Sequence, residues 1–409
     1  MTSPTTTVGV GDDVPELAEL LAIGDRIVEA ATPGEQLEAV VVRGLDTEVK
    51  VYEGEIESFS SAQSQGVGIR VVTDGRQGLA YAASFDPDVL AETLAEARDN
   101  AAFATPDEHQ GLAEPDGVAM CELDLFRESL ASFPTEAKID LAVELERLVR
   151  AGDPRIVGVE SAEYVDAAFE GAIASSTGVR SAGRETSTYV AAYALAEEGD
   201  ETQTGFGYSI GRQPGELDVE RAAADAVRRA TRLLGSTKPP SERLAVVLDP
   251  WVTAQFLGLI GWTLSGEALI KGRSLFADRL GEQVAAPCVT LVDDPTNPAA
   301  FSATDVDGEG LATRRNELIA DGTLQMFLHN AYTARRAGTV STGSAVRGGY
   351  RSSPSVGVQA VSLVSGTRSQ EELLAAVGDG VLISEVTGLH SGVNPVSGDF
   401  STGAEGLRV

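Results

Sequence analysis

From Leu37 to Ser84 the chain reads LEAVVVRGLDTEVKVYEGEIESFSSAQSQGVGIRVVTDGRQGLAYAAS, with apolar and polar residues alternating through much of it. A period of two suits strands with one buried face, and Asp74–Gly75 is a tight hairpin signal. The stretch therefore predicts an antiparallel meander. Helices are predicted on both sides. PELAELLAIGDRIVEAA (15–31) spaces its leucines and isoleucines at helical intervals, and the helix after the meander has Asp86 as its cap and Pro87 in its first turn.

The same order returns downstream: a helix over 135–151, glycine-punctuated strands from RIVGVES to GFGYSIG, and the helix LDVERAAADAVRRATRLL. That last helix carries acid at its start and Arg228, Arg229 and Arg232 at its end, as the helix dipole favours, and Gly235 closes it. Residues 104–134, irregular and acidic, are expected to form a surface loop. STKPPSE (236–242) reads as a linker. A chain of 409 residues exceeds the roughly 250 at which single cores stop growing. The expected fold is α+β with two domains: residues 1–235 with helices and antiparallel sheets, and residues 243–409, mostly antiparallel β with few helices. In the second part RLAVVLDP predicts a buried strand, Asp249 and Pro250 open a helix, Asp321–Gly322 turns a hairpin, and Ser369–Glu372 forms a capping box. Closing strands are expected from VLISEV onward.

Residues 1–235 hold 18 Lys+Arg against 44 Asp+Glu, and residues 236–409 hold 13 against 18. Such a surface repels phosphate backbones and anionic lipid, which argues against nucleic-acid and membrane partners. Cys121 and Cys288 form no CxxC and no disulfide framework. The N-terminus lacks a basic region followed by an apolar one, and the apolar run at Phe256–Leu264 is too short to span a bilayer. The expected location is the cytoplasm.

The chemistry is sparse. Gly207-Tyr208-Ser209-Ile210-Gly211 matches GxSxG, but Pro214 and Gly215 deny the following helix its place, so a sheet turn is expected instead of a hydrolase elbow. Asp305-Val306-Asp307-Gly308-Glu309-Gly310 suggests a calcium loop, yet its twelfth position is Asn316; a solvated acidic turn is expected. The three histidines, His109, His329 and His390, form no zinc-type pair one helical turn apart. His329 is expected to pack or hydrogen-bond, and His390, among glycines, to serve a structural or peptide-contacting role ahead of a metal. In GWTLSGEALIKGRSLFADRLGEQVAAPC (261–288) a turn presents Leu264, Ser265, Gly266, Glu267 and Lys271 in the layout of an active-site helix. Glu267 and Lys271 also make an ordinary i,i+4 pair. No residue is assigned as catalytic.

Several stretches together resemble the TldD/PmbA family, formerly described as modulators of DNA gyrase: GVGIRVVTDGRQGLAYAASFDPDVLAETLAEA, GRSLFADRLGEQVAAPCVTLVDDP, DGEGLATRRNELIADGTLQMFLHNAYTARRAGTVSTGSA and GVNPVSGDFSTGAEG. In that family the TldD branch carries HExxxH where this chain reads LSGEALIKG. The chain is therefore similar to the PmbA/TldE branch, in which the helix survives as a pseudo-active site without its ligands. The resemblance implies a TldD/TldE heterodimer that degrades or processes unfolded peptides, with zinc in the TldD-like subunit and no cofactor in this chain. Two alternatives stand beside it: a homodimeric peptide binder without proteolysis, and an independent peptidase with an unrecognised site. His390, Ser391, Asn394 and Asp399, in the glycine-rich turn, are expected to face the partner or the peptide. Family members extend past the GAEG strand, so the end at Val409 implies a shortened chain or a missing closing segment.

Overall fold

The computed structural model of the chain describes residues 14–409. In chain order its elements are α1 (Pro15–Val28), β1 (Glu35–Tyr52), β2 (Glu55–Thr73), β3 (Arg76–Ala82), α2 (Pro87–Phe103), α3 (Glu128–Ala131), α4 (Thr135–Ala151), β4 (Ile156–Ser175), β5 (Arg180–Glu198), β6 (Glu201–Gly211) and α5 (Val219–Thr231). There follow β7 (Ala245–Leu248), α6 (Pro250–Thr263), α7 (Gly266–Ile270), β8 (Leu291–Asp293), β9 (Asn316–Ala320), β10 (Thr323–Leu324), α8 (Ala331–Ala337), β11 (Ala345–Val346), β12 (Ser355–Val356) and β13 (Val361–Leu363). The chain closes with α9 (Gln370–Val377), β14 (Gly380–Thr387), α10 (Leu389–Gly392) and β15 (Gly403–Arg408).

The first six strands form one antiparallel sheet of order β3-β2-β1-β4-β5-β6. That order reads outward from the β1–β4 pair in both directions, so the two similar halves of the sequence lie back to back in a single sheet. Strands β1, β2, β4 and β5 are 18 to 20 residues long, roughly 60 Å each at the usual rise per residue. Residues paired across strands share a face. Val41, Ala172 and Ala182 are so aligned, and they join Leu17, Leu20 and Leu21 of α1 in one core. Val49, Tyr164 and Val190 are likewise aligned, and join Leu145 of α4 with Ala226 and Ala230 of α5 in the next. Burying each of these leucines contributes about 1.5–3 kcal/mol.

The C-terminal half docks against one end of the opposite face. Glu38 on β1 and Arg70 on β2 are register partners, joined at 3.0 and 2.6 Å, and Arg347 reaches the same carboxylate at 2.6 Å. Arg347 also donates to the Gly308 and Ser352 carbonyls. Glu309 lies 4.0 Å from Arg70 and accepts the first amide of α8, from Ala331, at 2.8 Å. Burial would raise the Glu38 carboxyl, but Arg347 and Arg70 pull it down to about 2. Beside this group Tyr350 lies flat on β2, where Cβ atoms at Gly66 and Gly68 would collide with its ring and its carbonyl. The two glycines of SQGVGIR are thus where the C-terminal half approaches the sheet most closely.

Several local expectations change. Of residues 104–134, expected as an irregular surface loop, 104–127 are irregular and mostly at the surface, form a strap over both halves, and lead into the short helix α3. Arg335 donates to the carbonyls of His109, Gly111 and Leu112, Tyr332 to Asp107, and Arg314 to Asp116. In the 305–310 turn Asp307, Glu309 and Gly310 are buried and the rest half-buried, where a solvated turn was expected: Asp307 accepts amides from Glu309, Leu311 and Ala345. Its carboxyl is pushed up to about 7 by burial and by the neighbouring Glu309 charge. The GxSxG match lies within β6, and Gly207 allows the α5 backbone close approach. RLAVVLDP forms β7, a parallel edge strand beside β14 with Val246 exposed. In the 388–398 turn a helical turn, α10, stands where only strand was expected.

Replacing Glu38 by Gln leaves Arg347 and Arg70 buried with only the more distant Glu309 as counter-charge, and a loss of about 3–5 kcal/mol is expected in urea unfolding. The depressed carboxyl supplies stability that is present above its unfolded value of 4.5 and lost as pH falls towards about 2. The wild type is therefore expected to lose stability across that window by more than the Glu38→Gln variant does.

Candidate functional site

The segment Leu264–Lys271 begins where α6 ends. Asp249 caps α6 by accepting the Trp251 amide at 2.9 Å, with Pro250 in its first turn. After Thr263 the chain breaks and restarts: Ser265 becomes the N-cap of α7, its hydroxyl accepting the Ala268 amide at 3.1 Å. Two backbone bonds, Gly266 N–H to the Leu328 carbonyl at 2.7 Å and Leu328 N–H to the Leu264 carbonyl at 3.0 Å, tie this break to the approach to α8. Leu264 belongs to the core with Phe276, Leu318 and Leu328.

The sequence expected a turn presenting Leu264, Ser265, Gly266, Glu267 and Lys271 together. The structure divides them. Leu264, Ser265 and Gly266 are buried, whereas Glu267 is half-buried and Lys271 is exposed. Glu267 pairs with Lys271 and accepts the Ser355 hydroxyl at 3.0 Å. The hydrogen bond from Lys271 holds its carboxyl below the usual range. Both oxygens of the carboxylate are therefore engaged.

Gly266 faces His329. A Cβ at Gly266 would collide with the imidazole Nδ1 and would lie 2.7 Å from Cε1 and 3.0 Å from Thr333 Cβ. His329 is buried, its Nδ1 3.2 Å from the Thr333 hydroxyl and its amide donating to Thr342 at 2.8 Å. Burial lowers its pKa and keeps the ring neutral near pH 7. It packs and hydrogen-bonds, as its sequence context suggests. Its place against Gly266 was not readable, because the contact joins segments distant in sequence and leaves no periodic signal.

A zinc centre needs three or four nitrogen, sulfur or carboxylate ligands converging on one point. Here Ser265 is committed to a cap, Glu267 to Lys271 and Ser355, Ile270 is apolar, and His329 contributes one imidazole. These residues do not fit the metal. Among the described residues no group of three or more His, Cys, Asp or Glu is placed to hold one. No described helix is long and apolar enough to cross a membrane.

His390, Ser391, Asn394 and Asp399 lie apart, on the exposed 388–400 turn between β14 and β15. Asn394 shapes that turn: its side chain accepts the Val396 and Ser397 amides, and its backbone amide donates to the Asp399 carbonyl at 2.8 Å. Ser397 donates to the Asp399 carboxylate at 2.8 Å.

Comparison with known proteins finds three matching domain models of the PmbA/TldA metallopeptidases: domain 1 at residues 37–101, the central domain at 128–234 and the C-terminal domain at 241–409. The metalloprotease PmbA of Escherichia coli O157:H7 is 28% identical over 391 residues, 95% of this chain and 84% of that protein. A crystal structure of a gyrase-modulator candidate from Thermotoga maritima superposes with a TM-score of 0.84 at 26% identity, covering 95% of this chain and 87% of the other. The structure of TldE from Thermococcus kodakarensis gives 0.79 at 25% identity, covering 91% and 83%.

The Gly266 contact is open to direct test. Gly266→Ala is expected to destabilise by about 1–3 kcal/mol through overpacking. In a His329→Ala background the same change is expected to cost little, and a double-mutant cycle in urea reads the difference.

Proposed function

Because the chain belongs to the PmbA/TldA metallopeptidase family, we propose that it is a TldE/PmbA-type subunit without catalytic residues of its own. Its partner in this reading is a TldD-like, zinc-bearing subunit, and the pair processes or degrades unfolded peptides in the cytoplasm. One observation carries the reading: at Gly266, in the segment that the resemblance sets at the TldD branch's HExxxH, the imidazole of His329 fills the space a side chain would need. A metal-activated water is what such a peptidase uses to attack an amide, and that chemistry is assigned to the partner. The TldE name of the Thermococcus neighbour supports the same branch. The turn bearing His390, Ser391, Asn394 and Asp399 is assigned to the surface facing partner or peptide.

The test is reconstitution. Purified chain alone is expected to leave an unfolded casein substrate intact, and a mixture with a TldD-type subunit carrying HExxxH is expected to cleave it. Chelator is expected to stop the mixture, and native mass spectrometry to show one copy of each subunit. Chelator-sensitive digestion by the chain alone would overturn the assignment.

A further inference from the structure

The six-stranded sheet has one face under helices and another that is mostly open. An antiparallel sheet with a solvated face normally carries polar residues there. This one does not. Along the open face, register places Val165 beside Tyr189 and Tyr189 beside Ile210, with Tyr193 beside Phe206 and Ala191 beside Tyr208. Phe169, Tyr193, Tyr208 and Ile210 are 41, 43, 37 and 42% exposed. Trp251 of α6 covers part of Phe206 and Tyr208, with ring centroids 6.1 and 5.6 Å away. The cluster of Tyr193, Phe206, Tyr208 and Ile210 is exposed apolar surface of the kind that marks a binding site, and Phe169 lies further along the same face.

The face has a closed end and a charge. Where the C-terminal half docks, a cavity of about 700 Å³ opens between Val42, Phe169 and Gly171 of the sheet and Phe301, Asp305 and Tyr350 opposite. Asp46, Glu48, Glu163 and Glu185 lie on the same face by register, against Lys50, which pairs with Glu48 at 3.0 Å, and Arg212, which lies 3.7 Å from Glu185. Partial burial holds the Glu163 carboxyl above its usual range, with Lys50 lowering it and Glu48 raising it. A second copy of this chain would bring the same negative charge to the contact and is disfavoured as the occupant.

We infer that the open sheet face, from the 700 Å³ cavity to Trp251, binds an extended polypeptide segment carrying basic and aromatic side chains. Aromatic side chains stack on Phe169, Tyr193 and Tyr208, and lysine or arginine heads meet Asp46, Glu48 and Glu163. The inference deepens the proposed function by naming a substrate class, and it rests on that reading for its biological meaning alone. Binding is measured on the isolated full chain, so failure here is distinguishable from failure of the reconstitution.

The probe is a fluorescein-labelled linear peptide of lysine, phenylalanine and serine, compared in fluorescence anisotropy with the same peptide bearing glutamate for lysine. The lysine peptide is expected to bind at least about tenfold more tightly, with an advantage that shrinks as salt rises. Glu48→Gln with Glu163→Gln is expected to reduce that advantage, and Tyr193→Ala with Tyr208→Ala to cost about tenfold, the scale of one interface anchor. Unchanged thermal unfolding of the variants controls for folding. Equal affinity for both peptides, no binding of either, or a concentration-dependent dimer that Tyr193→Asp abolishes would overturn the inference.

Discussion

A single buried carboxylate decides how the two parts of this molecule meet. Glu38 sits on the sheet, yet one of the two arginines that hold it comes from the C-terminal half. Buried ion pairs recover little more than their own desolvation, so the contribution here is in geometry more than in net free energy. A sheet face and the half docked on it could slide over one another on apolar contacts alone. A bidentate arginine on one side and a second arginine on the other fix one register. The Tyr350 contact at Gly66 and Gly68 has the same consequence in steric terms, because the flat strand surface exists only where both side chains are missing.

The same network explains why an acidic turn became part of the interior. Glu309 approaches Arg70 and holds the start of α8, and Asp307 gathers three backbone amides. Local composition marked residues 305–310 as a surface turn, because aspartates and glycines in sequence look alike whether water or amides satisfy them. What distinguishes them is the position of Arg70 and Arg347, both remote in the chain. Burial of charge is therefore the property least readable from a local window.

The first half was legible where periodicity and caps operate. The helices at 15–28, 87–103, 135–151 and 219–231, and the strands between them, follow from spacing and from signals such as the Asp86 cap and the acid-to-arginine gradient of the last helix. The second half was less so: its strands β8 to β13 run two to five residues, too short for alternation to register. Around Ser265 the lack of paired histidines was plain from the residues themselves. The detail that matters, an imidazole packed on a glycine, was hidden because neither residue has a local pattern that refers to the other. Glu267 and Lys271 do form the i,i+4 pair their spacing suggests.

The strap over residues 104–127 also bears on the order of events during translation. Asp116 is separated from Arg314 by 198 residues, and His109 from Arg335 by 226. Emerging N-terminus first, the sheet can collapse onto its helices and take up its own bonds to the strap, at Gly75, Gln36 and Thr186, while the C-terminal fasteners are still missing. Only when the last third leaves the ribosome do Arg314, Tyr332 and Arg335 arrive to tie it down. Completion of the strap is thus a late event that reports arrival of the C-terminal part, and a ribosome stalled before α8 would hold a strap secured on its sheet side alone.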